Sequence, residues 1–309
     1  MNLTGTILYG INNIYTIETE TGIFECRIKG KVLPEEDPSY NPLAPGDIVL
    51  VNTDTGFPGK GLILERKKRK NAFYRWNKKR RQIQTLCANV DRIFCIASTA
   101  KPPFRPRFID RVQVQAAIAE IPLTIVINKS DLGLSEMIRE RKEYYRRIGI
   151  ETIITSVNNM KSLEQLESRL EDSLTAFVGQ SGVGKTSILN TFFPNFQGKT
   201  AEISAKYNRG THTTNFARML IHDRGYRVID TPGIREIEVC GIEPRDLRFY
   251  FPEFRDIHEE CTYASCTHIH EPGCAVREAV ETGTVLPDRY DSYQRIHVSL
   301  TQLTKEQEP

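Results

Sequence analysis

The segment Gly179–Thr186, with the sequence G-Q-S-G-V-G-K-T, limits the possible folds of this chain more than any other part of it. It follows an apolar strand pattern at residues 176–178 and opens a helical pattern over Ser187–Phe193. Glycines at this spacing let the backbone wrap a phosphate with its N–H groups inward, and the helix N-terminus adds positive potential. The segment therefore predicts a phosphate loop in an α/β domain, where Lys185 would neutralise the β- and γ-phosphates and the Thr186 hydroxyl would bind Mg²⁺.

A second segment, Asn128–Asp131 (N-K-S-D), predicts which base accompanies the phosphates. It follows an apolar strand pattern that ends at Ile127, and it resembles the N-K-x-D motif of guanine-specific sites. The Asp131 carboxylate suits the paired N1–H and N2–H donors of guanine, which adenine lacks, and leaving such a buried group unpaired discriminates strongly between bases. Asn128 would hold the O6 edge of guanine or brace the neighbouring loops, while the stem of Lys129 would cover the ring.

Two further segments match the regions that respond to the γ-phosphate. Asp230-Thr231-Pro232-Gly233 follows a strand pattern and resembles D-x-x-G, in which Asp230 would hold Mg²⁺ through water and the Gly233 N–H would contact the γ-phosphate. The segment G-T-H-T-T at residues 210–214 lies where switch I belongs. Either Thr213 or Thr214 would close onto Mg²⁺ and the γ-phosphate, and the sequence leaves both open.

The residue after Gly233 bears on catalysis. It is Ile234, where many GTPases carry a glutamine that orients the attacking water, and an apolar side chain cannot do this. We predict His212 as the catalytic residue in cis, the alternative being that it is structural or solvent-exposed. The residues predicted to bind the nucleotide are Asn128, Lys129, Ser130, Asp131, Thr155, Ser156, Gly179, Gln180, Ser181, Gly182, Val183, Gly184, Lys185, Thr186, Ser187, Thr213, Thr214, Asp230 and Gly233; Thr155 and Ser156 form a weaker base-covering loop.

The order of the motifs is unusual. The N-K-x-D segment precedes the phosphate loop, whereas in ordinary GTPases it follows. A parallel sheet tolerates such a permutation if the original ends are joined and new ends open at the surface. One consequence is mechanical: the D-x-x-G segment leads directly into the C-terminal region, so nucleotide state could act on that region.

The chain as a whole divides into three predicted domains, with a basic segment at the boundary of the first two. Residues 1–70 contain about five short strand patterns, typical of an oligonucleotide-binding (OB) barrel. A basic segment, residues 66–81, contains no acid and is interpreted as a linker that is either a contact for a polyanion or a solvated face. In it Tyr74 and Trp76 would either stack on bases or, alternatively, cap the barrel or pack between domains. Residues 71–235 predict the α/β GTPase domain, with a capping box at Ser162 and Gln165 starting one helix. Residues 236–309 predict a mostly helical domain.

A cluster of metal-ligand residues lies in this C-terminal part. Cys261, Cys266, His268 and Cys274 offer three thiolates and one imidazole, a set that suits tetrahedral Zn²⁺ in a closed structural site. His270 and, more remotely, His258 are rival ligands. The remaining cysteines are interpreted as core packing residues; they are Cys26, Cys87, Cys95 and Cys240.

Hydropathy and the N-terminus indicate the compartment. Hydrophobic residues make up 39% of the chain, enough for a core, but no apolar run approaches the roughly 20 residues of a membrane helix. The N-terminus lacks a signal-peptide pattern. We therefore expect a cytoplasmic protein without membrane contact, and, because no exposed apolar seam is evident, a monomer.

Together these motifs resemble the ribosome small-subunit-dependent GTPase A (RsgA) family. The resemblance covers nearly the whole chain, including Gly46-Asp47, the A-N-V-D segment at 88–91, the permuted GTPase motifs and C-x₄-C-x-H-x-x-E-P-x-C. It implies an OB barrel, a permuted GTPase domain and a zinc domain that dock on the 30S subunit and its 16S rRNA. It also implies GTP hydrolysis stimulated by the subunit, with release afterwards. The family's switch I commonly reads G-R-H-T-T, so Thr211 replaces an arginine here, while His212 stays in register.

Two other functions compete with this one. The first is a non-catalytic RNA-binding assembly factor that only holds guanine nucleotide, an alternative that Ile234 keeps open. The second is a GTPase that acts on a different nucleic acid, such as tRNA. Turnover without a partner RNA and competition between 30S subunits and tRNA would discriminate among the three.

Overall fold

The structure is a computed structural model that describes residues 1–30, 39–54, 56–194, 196, 216–234 and 236–307. The N-terminal part is a closed barrel of five strands in the order β1-β2-β3-β5-β4, with β4 pairing back onto β1 and β3 parallel to β5. This confirms the predicted OB barrel. The strands are β1 (Asn2–Ile11), β2 (Ile14–Thr19), β3 (Gly22–Ile28), β4 (Ile48–Asn52) and β5 (Lys60–Arg66).

The barrel joins the rest of the chain through a tight junction at Gly46. This residue has φ +92°, and a Cβ on it would lie 2.0 Å from the Ala88 carbonyl oxygen, so only glycine fits. The next residue, Asp47, forms a buried ion pair with Arg69, whose Nε lies 2.7 Å from Asp47 Oδ1. The segment that follows β5 is therefore held against the barrel by this ion pair.

The basic segment is not a linker, and that interpretation was wrong. Its second half forms strand β6 (Ala72–Asn77) and the turn after it, and β6 pairs antiparallel with the strand that follows the segment, β7 (Gln82–Ala88). Trp76 is 7% exposed and packs within the fold, so the packing alternative applies to it. Local composition misled here because several of the cations pair with acids distant in the sequence: Arg69 with Asp47, Lys70 with Asp91, and Lys78 with Glu238.

The central part is a six-stranded sheet in the order β10-β9-β8-β11-β13-β12. Neighbouring strands of this sheet pair in parallel, except that β12 runs antiparallel to β13. The carboxyl ends of the parallel strands therefore meet at one edge, where ligands bind in such sheets. The strands are β8 (Arg92–Ser98), β9 (Leu123–Asn128), β10 (Glu151–Ile154), β11 (Leu174–Gly179), β12 (Arg218–Ile221) and β13 (Arg227–Asp230).

Within the described residues, four helices accompany this sheet: α1 (Pro106–Ile118), α2 (Glu136–Arg147), α3 (Met160–Glu167) and α4 (Lys185–Phe192). The predicted capping box on α3 was wrong. Asn159 is the N-cap, and its side chain accepts from the Ser162 backbone N–H. Ser162 instead lies inside the first turn, and its hydroxyl bonds the Asn159 carbonyl at 2.8 Å and pairs with the Thr155 hydroxyl at 3.1 Å. Sequence spacing alone did not distinguish the two possible starts.

The C-terminal part contains 3₁₀ turns and three helices, α5 (Phe254–Ile257), α6 (Ala275–Glu281) and α7 (Pro287–Gln307). Arg289 of α7 is fully buried and donates to Asp110 of α1 and to Glu253, each at 2.7 Å. The pair with Asp110 joins the helical part to α1, and the pair with Glu253 lies within the helical part itself. No helix in the described ranges is both long and apolar enough to cross a bilayer.

Candidate functional site

The phosphate loop connects β11 to α4 at the carboxyl edge of the sheet. Gly182 and Gly184 both have positive φ, +80° and +93°, a conformation that side chains with a Cβ rarely adopt. Gly179 leaves no room for a Cβ, which would lie 2.6 Å from the Ile96 carbonyl oxygen on β8. The loop leads directly into α4, which begins at Lys185. The unpaired backbone N–H groups at a helix N-terminus favour an anion.

The guanine motif lies beside this loop because β9 and β11 flank β8. Asn128 is buried, and its Nδ2 donates to the Val183 carbonyl at 3.0 Å, which identifies it as the residue that braces the neighbouring loop. Its Oδ1 is buried and accepts no hydrogen bond from the residues that the structure describes. Lys129 adopts the left-handed conformation and its Nζ donates to the Gly182 carbonyl at 2.6 Å. The two motifs are therefore directly bonded.

Asp131 is exposed at the start of a 3₁₀ turn and accepts two side-chain hydrogen bonds. The Ser156 hydroxyl donates to its Oδ1, and Asn158 Nδ2 donates to Oδ2 at 3.1 Å. The Ser156 bond is the main reason that the pKa of Asp131 is lowered. A carboxylate held ionised in this way suits the N–H donors of guanine.

The loop after β10 therefore acts on Asp131 through side chains. The Thr155 side chain is buried against Ser162, while the Thr155 carbonyl accepts from Ser130 N at 3.1 Å. Asn158 was missed by sequence reasoning, since it lies outside every motif. An amide two residues after Ser156 in a base-covering loop was the only available signal.

The D-x-x-G segment follows β13 and contacts the phosphate loop. Asp230 is 4% exposed, and Lys185 Nζ lies 3.6 Å from its Oδ1. Burial raises the pKa of Asp230, an effect that Lys185 and Arg218 oppose. Gly233 lies against Ser181, where a Cβ would be 3.3 Å from the Ser181 Cα. Asp230 offers a buried carboxylate, and Thr186, the residue after Lys185, offers an exposed hydroxyl; oxygen donors of this kind fit Mg²⁺, a hard cation that prefers oxygen.

Switch I falls outside the described residues, and with it the predicted positions Thr211, His212, Thr213 and Thr214. Ile234 is described: it is 2% exposed and belongs to the core, and its N–H donates to the Gly179 carbonyl at 3.2 Å. Its side chain is therefore packed in the core.

The predicted metal ligands come together in the C-terminal part. One ligand atom from each of Cys261, Cys266, His268 and Cys274 lies within 4.8 Å of the others. Two sulfurs bound to one tetrahedral zinc lie about 3.8 Å apart, as follows from a Zn–S bond of about 2.3 Å, so the cluster has the size of a zinc site. Burial raises the pKa of the Cys266 thiol to about 12, so ionised thiols here need a cation. The donor set therefore fits a structural Zn²⁺.

His258 and His270, the two alternative ligands, make other contacts around the cluster. His268 directs Nδ1 toward the sulfur of Cys274 at 3.3 Å and uses Nε2 to meet His258 Nδ1 at 3.2 Å. Burial lowers the pKa of His268 to about 4, which keeps the imidazole neutral, as a ligand must be. Glu271 accepts from Thr267 and from the His270 backbone N–H, and so holds the turn around His268. Neither His258 nor His270 belongs to the ligand group.

The family model described as RsgA GTPase matches residues 66–240. The chain belongs to the RsgA GTPase family. This confirms the resemblance inferred from the motifs, and with family membership the chain is a GTP hydrolase that uses Mg²⁺ with its nucleotide.

Relatives of this RsgA-family chain match along nearly all of its length. A protein of Borrelia garinii subsp. bavariensis named small ribosomal subunit biogenesis GTPase RsgA is 38% identical over 295 residues, 94% of each chain. The Chlorobaculum tepidum protein of the same name is 37% identical, covering 97% of this chain and 99% of its own.

Two solved structures share the architecture. YjeQ from Thermotoga maritima has a TM-score of 0.73 at 30% identity, covering 97% of this chain and 99% of its own. YloQ, titled a circularly permuted GTPase, has a TM-score of 0.69 at 27% identity, covering 100% and 97%. The permuted multidomain fold that the motif order predicted is therefore confirmed.

Proposed function

We propose that this GTP hydrolase acts in late maturation of the small (30S) ribosomal subunit, with hydrolysis stimulated by the subunit and release afterwards. The observation that carries the proposal is the match, over 94% and 97% of the chain, to two relatives named small ribosomal subunit biogenesis GTPase RsgA. We divide the chain into a barrel (1–70), a GTPase domain (71–235) and a zinc domain (236–309). GTP, GDP and 16S rRNA are the proposed ligands, and the cytoplasm is the proposed compartment.

The nucleotide site would work by positioning and charge. Lys185 and the N–H groups at the start of α4 bind the β- and γ-phosphates, and Asp131 accepts the two N–H donors of guanine. Thr186 and, through water, Asp230 would hold Mg²⁺, which would neutralise charge on the phosphates when bound. The contact between Gly233 and Ser181 supports a role for the Gly233 N–H beside the γ-phosphate.

Water activation falls to another residue, since Ile234 is buried. We assign it to His212, and we assign closure onto Mg²⁺ to Thr213 or Thr214. His212→Ala is expected to lower subunit-stimulated kcat about 100-fold or more, the usual contribution of a general base, with little change in GTP affinity. Single-turnover hydrolysis and equilibrium nucleotide binding would measure the two effects. Undiminished stimulated turnover would show that the histidine is not catalytic.

The RNA contacts would come from the barrel, the zinc domain and the exposed part of the basic segment. Lys68, Lys79 and Arg80 are exposed on or beside the hairpin, and Arg80 lies over the Tyr40 ring at 4.7 Å. Lysines that neutralise phosphates release counterions, so binding should weaken as salt rises. The acids that pair with Lys70 and Lys78 reduce the effective charge of the segment below what its sequence implies.

The deciding experiment measures GTP hydrolysis with and without purified 30S subunits, with 50S subunits and tRNA as controls. Stimulation by 30S subunits alone supports the proposal. Stimulation by tRNA alone would favour a GTPase that acts on another nucleic acid. Tight GTP binding with no turnover under any condition would favour the non-catalytic assembly factor.

A further inference from the structure

A short loop after β8 lies between the phosphate loop and the guanine motif. This loop, Ser98–Pro102, is closed on itself by a hydrogen bond from the Ser98 hydroxyl to the Pro102 carbonyl at 2.8 Å. Pro102 faces the phosphate loop, since a Cβ on Gly182 would lie 3.5 Å from the Pro102 Cδ. None of the motifs recognised in the sequence includes this loop.

Thr99 donates two hydrogen bonds to the guanine motif. Its backbone N–H donates to the Asn128 carbonyl at 3.0 Å, and its hydroxyl donates to the Lys129 carbonyl at 2.6 Å. The Lys129 carbonyl also accepts from the Leu132 backbone N–H at 3.0 Å, which closes the 3₁₀ turn that carries Asp131. The Thr99 hydroxyl therefore anchors the point at which this turn begins.

Lys129 itself is held from three sides. Its backbone is left-handed, with φ +63° and ψ +36°, a conformation that is unfavourable for a residue with a long side chain. Its Nζ donates to the Gly182 carbonyl at 2.6 Å and to the Lys101 carbonyl. The loop thus contributes one acceptor to the Lys129 ammonium and one donor to the Lys129 carbonyl. Strained backbone of this kind persists only where neighbours hold it.

We propose that Thr99 is a positioning residue for guanine selection, an inference that rests on the proposed nucleotide site. Without its hydroxyl, the Lys129 carbonyl keeps only the local Leu132 donor and the left-handed turn relaxes. Asp131, two residues further on, then loses its alignment with the base. The phosphate contacts of Lys185 and α4 lie on another strand connection and remain. Loss of the Thr99 hydroxyl therefore lowers the discrimination between bases more than it lowers the affinity for the phosphates.

The test measures the affinities of GDP and inosine diphosphate (IDP) for the full chain. IDP lacks the 2-amino group of guanine, so the ratio of the two dissociation constants reports the alignment of Asp131. Thr99→Val removes the hydroxyl at nearly constant shape, Thr99→Ala is a second hydroxyl-free variant, and Thr99→Ser keeps the hydroxyl. Thr301→Val in α7 is the matched control, because it removes a hydroxyl bonded to the His297 carbonyl at 3.0 Å.

We expect Thr99→Val to raise the Kd for GDP roughly 5- to 10-fold and to reduce the IDP-to-GDP ratio about 3-fold, as loss of one hydrogen bond to a positioned group implies. Thr99→Ser should restore the ratio, and Thr301→Val should not change it. A purely structural effect would raise both constants equally. If Thr99→Val raises both dissociation constants equally, while Asp131→Asn still changes the IDP-to-GDP ratio, the inference is overturned. If Asp131→Asn also leaves the ratio unchanged, the proposed guanine site itself fails.

Discussion

Gly184→Ala tests the contact between the phosphate loop and the guanine motif. Gly184 has φ +93°, and an added Cβ would lie 2.2 Å from Asn128 Nδ2, the atom that donates to the Val183 carbonyl. Gly225 offers a matched control in the turn between β12 and β13. It has nearly the same φ, +92°, but its Cβ would meet nothing within 4 Å.

The two substitutions share one cost and differ in another. Each places alanine in left-handed backbone, at about 1–2 kcal/mol. Gly184→Ala must also displace the Asn128 amide and break its buried hydrogen bond, at about 1–3 kcal/mol more. Because this second cost falls on the nucleotide site, we expect the Kd for GDP to rise roughly 10- to 100-fold for Gly184→Ala and hardly at all for Gly225→Ala.

The assay is equilibrium binding of a fluorescent guanine nucleotide, with thermal unfolding of each variant measured in parallel. Equal GDP affinity in the two variants would refute the reasoning. A double-mutant cycle sharpens the test, since Asn128→Ser removes the amide that the new methyl meets. Gly184→Ala should then cost less in the Asn128→Ser background than in the parent chain, because neighbouring changes are not additive.

Three further predictions concern other parts of the two sites. Ser156→Ala should shift the acid-side loss of GDP binding to higher pH, because the pKa of Asp131 is lowered mainly by this hydroxyl and binding needs the carboxylate; an unmoved pH profile would contradict this. Lys185→Ala should raise the Kd for GDP at least roughly 100-fold through lost charge-assisted bonds, measured by calorimetry; unchanged affinity would remove the phosphate loop from the site. Cys266→Ser should lose zinc by elemental analysis and lower the melting temperature, while Cys240→Ser, buried outside the cluster, should keep its metal. Equal zinc content in the two variants would contradict the ligand assignment.

Local signals made much of this protein predictable. The phosphate loop was predictable because its glycines are needed at particular positive-φ positions, and Gly182 and Gly184 occupy them. The zinc ligands were predictable because all four lie within a short stretch of chain, so their spacing is nearly their geometry. The five-strand barrel followed from the turn residues between short strands.

Pairings between distant segments were not predictable in the same way. The α3 start was misassigned, because both Asn159 and Ser162 are good caps and only the path of the preceding loop selects one. The role of Asn158 depends on β10 lying next to β9, which brings it to Asp131. The basic segment was misread because its acidic partners lie elsewhere in the chain.

The sequence by itself determined the chemistry of this protein: a phosphate loop, a guanine motif, a D-x-x-G segment and a zinc ligand set, each encoded within a few consecutive residues. The tertiary structure decided how these pieces act on one another. The order of strands around β8 brings Asn128 against Val183 and Lys129 against Gly182, and Arg289 joins the zinc domain to α1. Such contacts depend on which strands are neighbours, and neighbouring strands are set by the packing of the whole sheet rather than by any local segment.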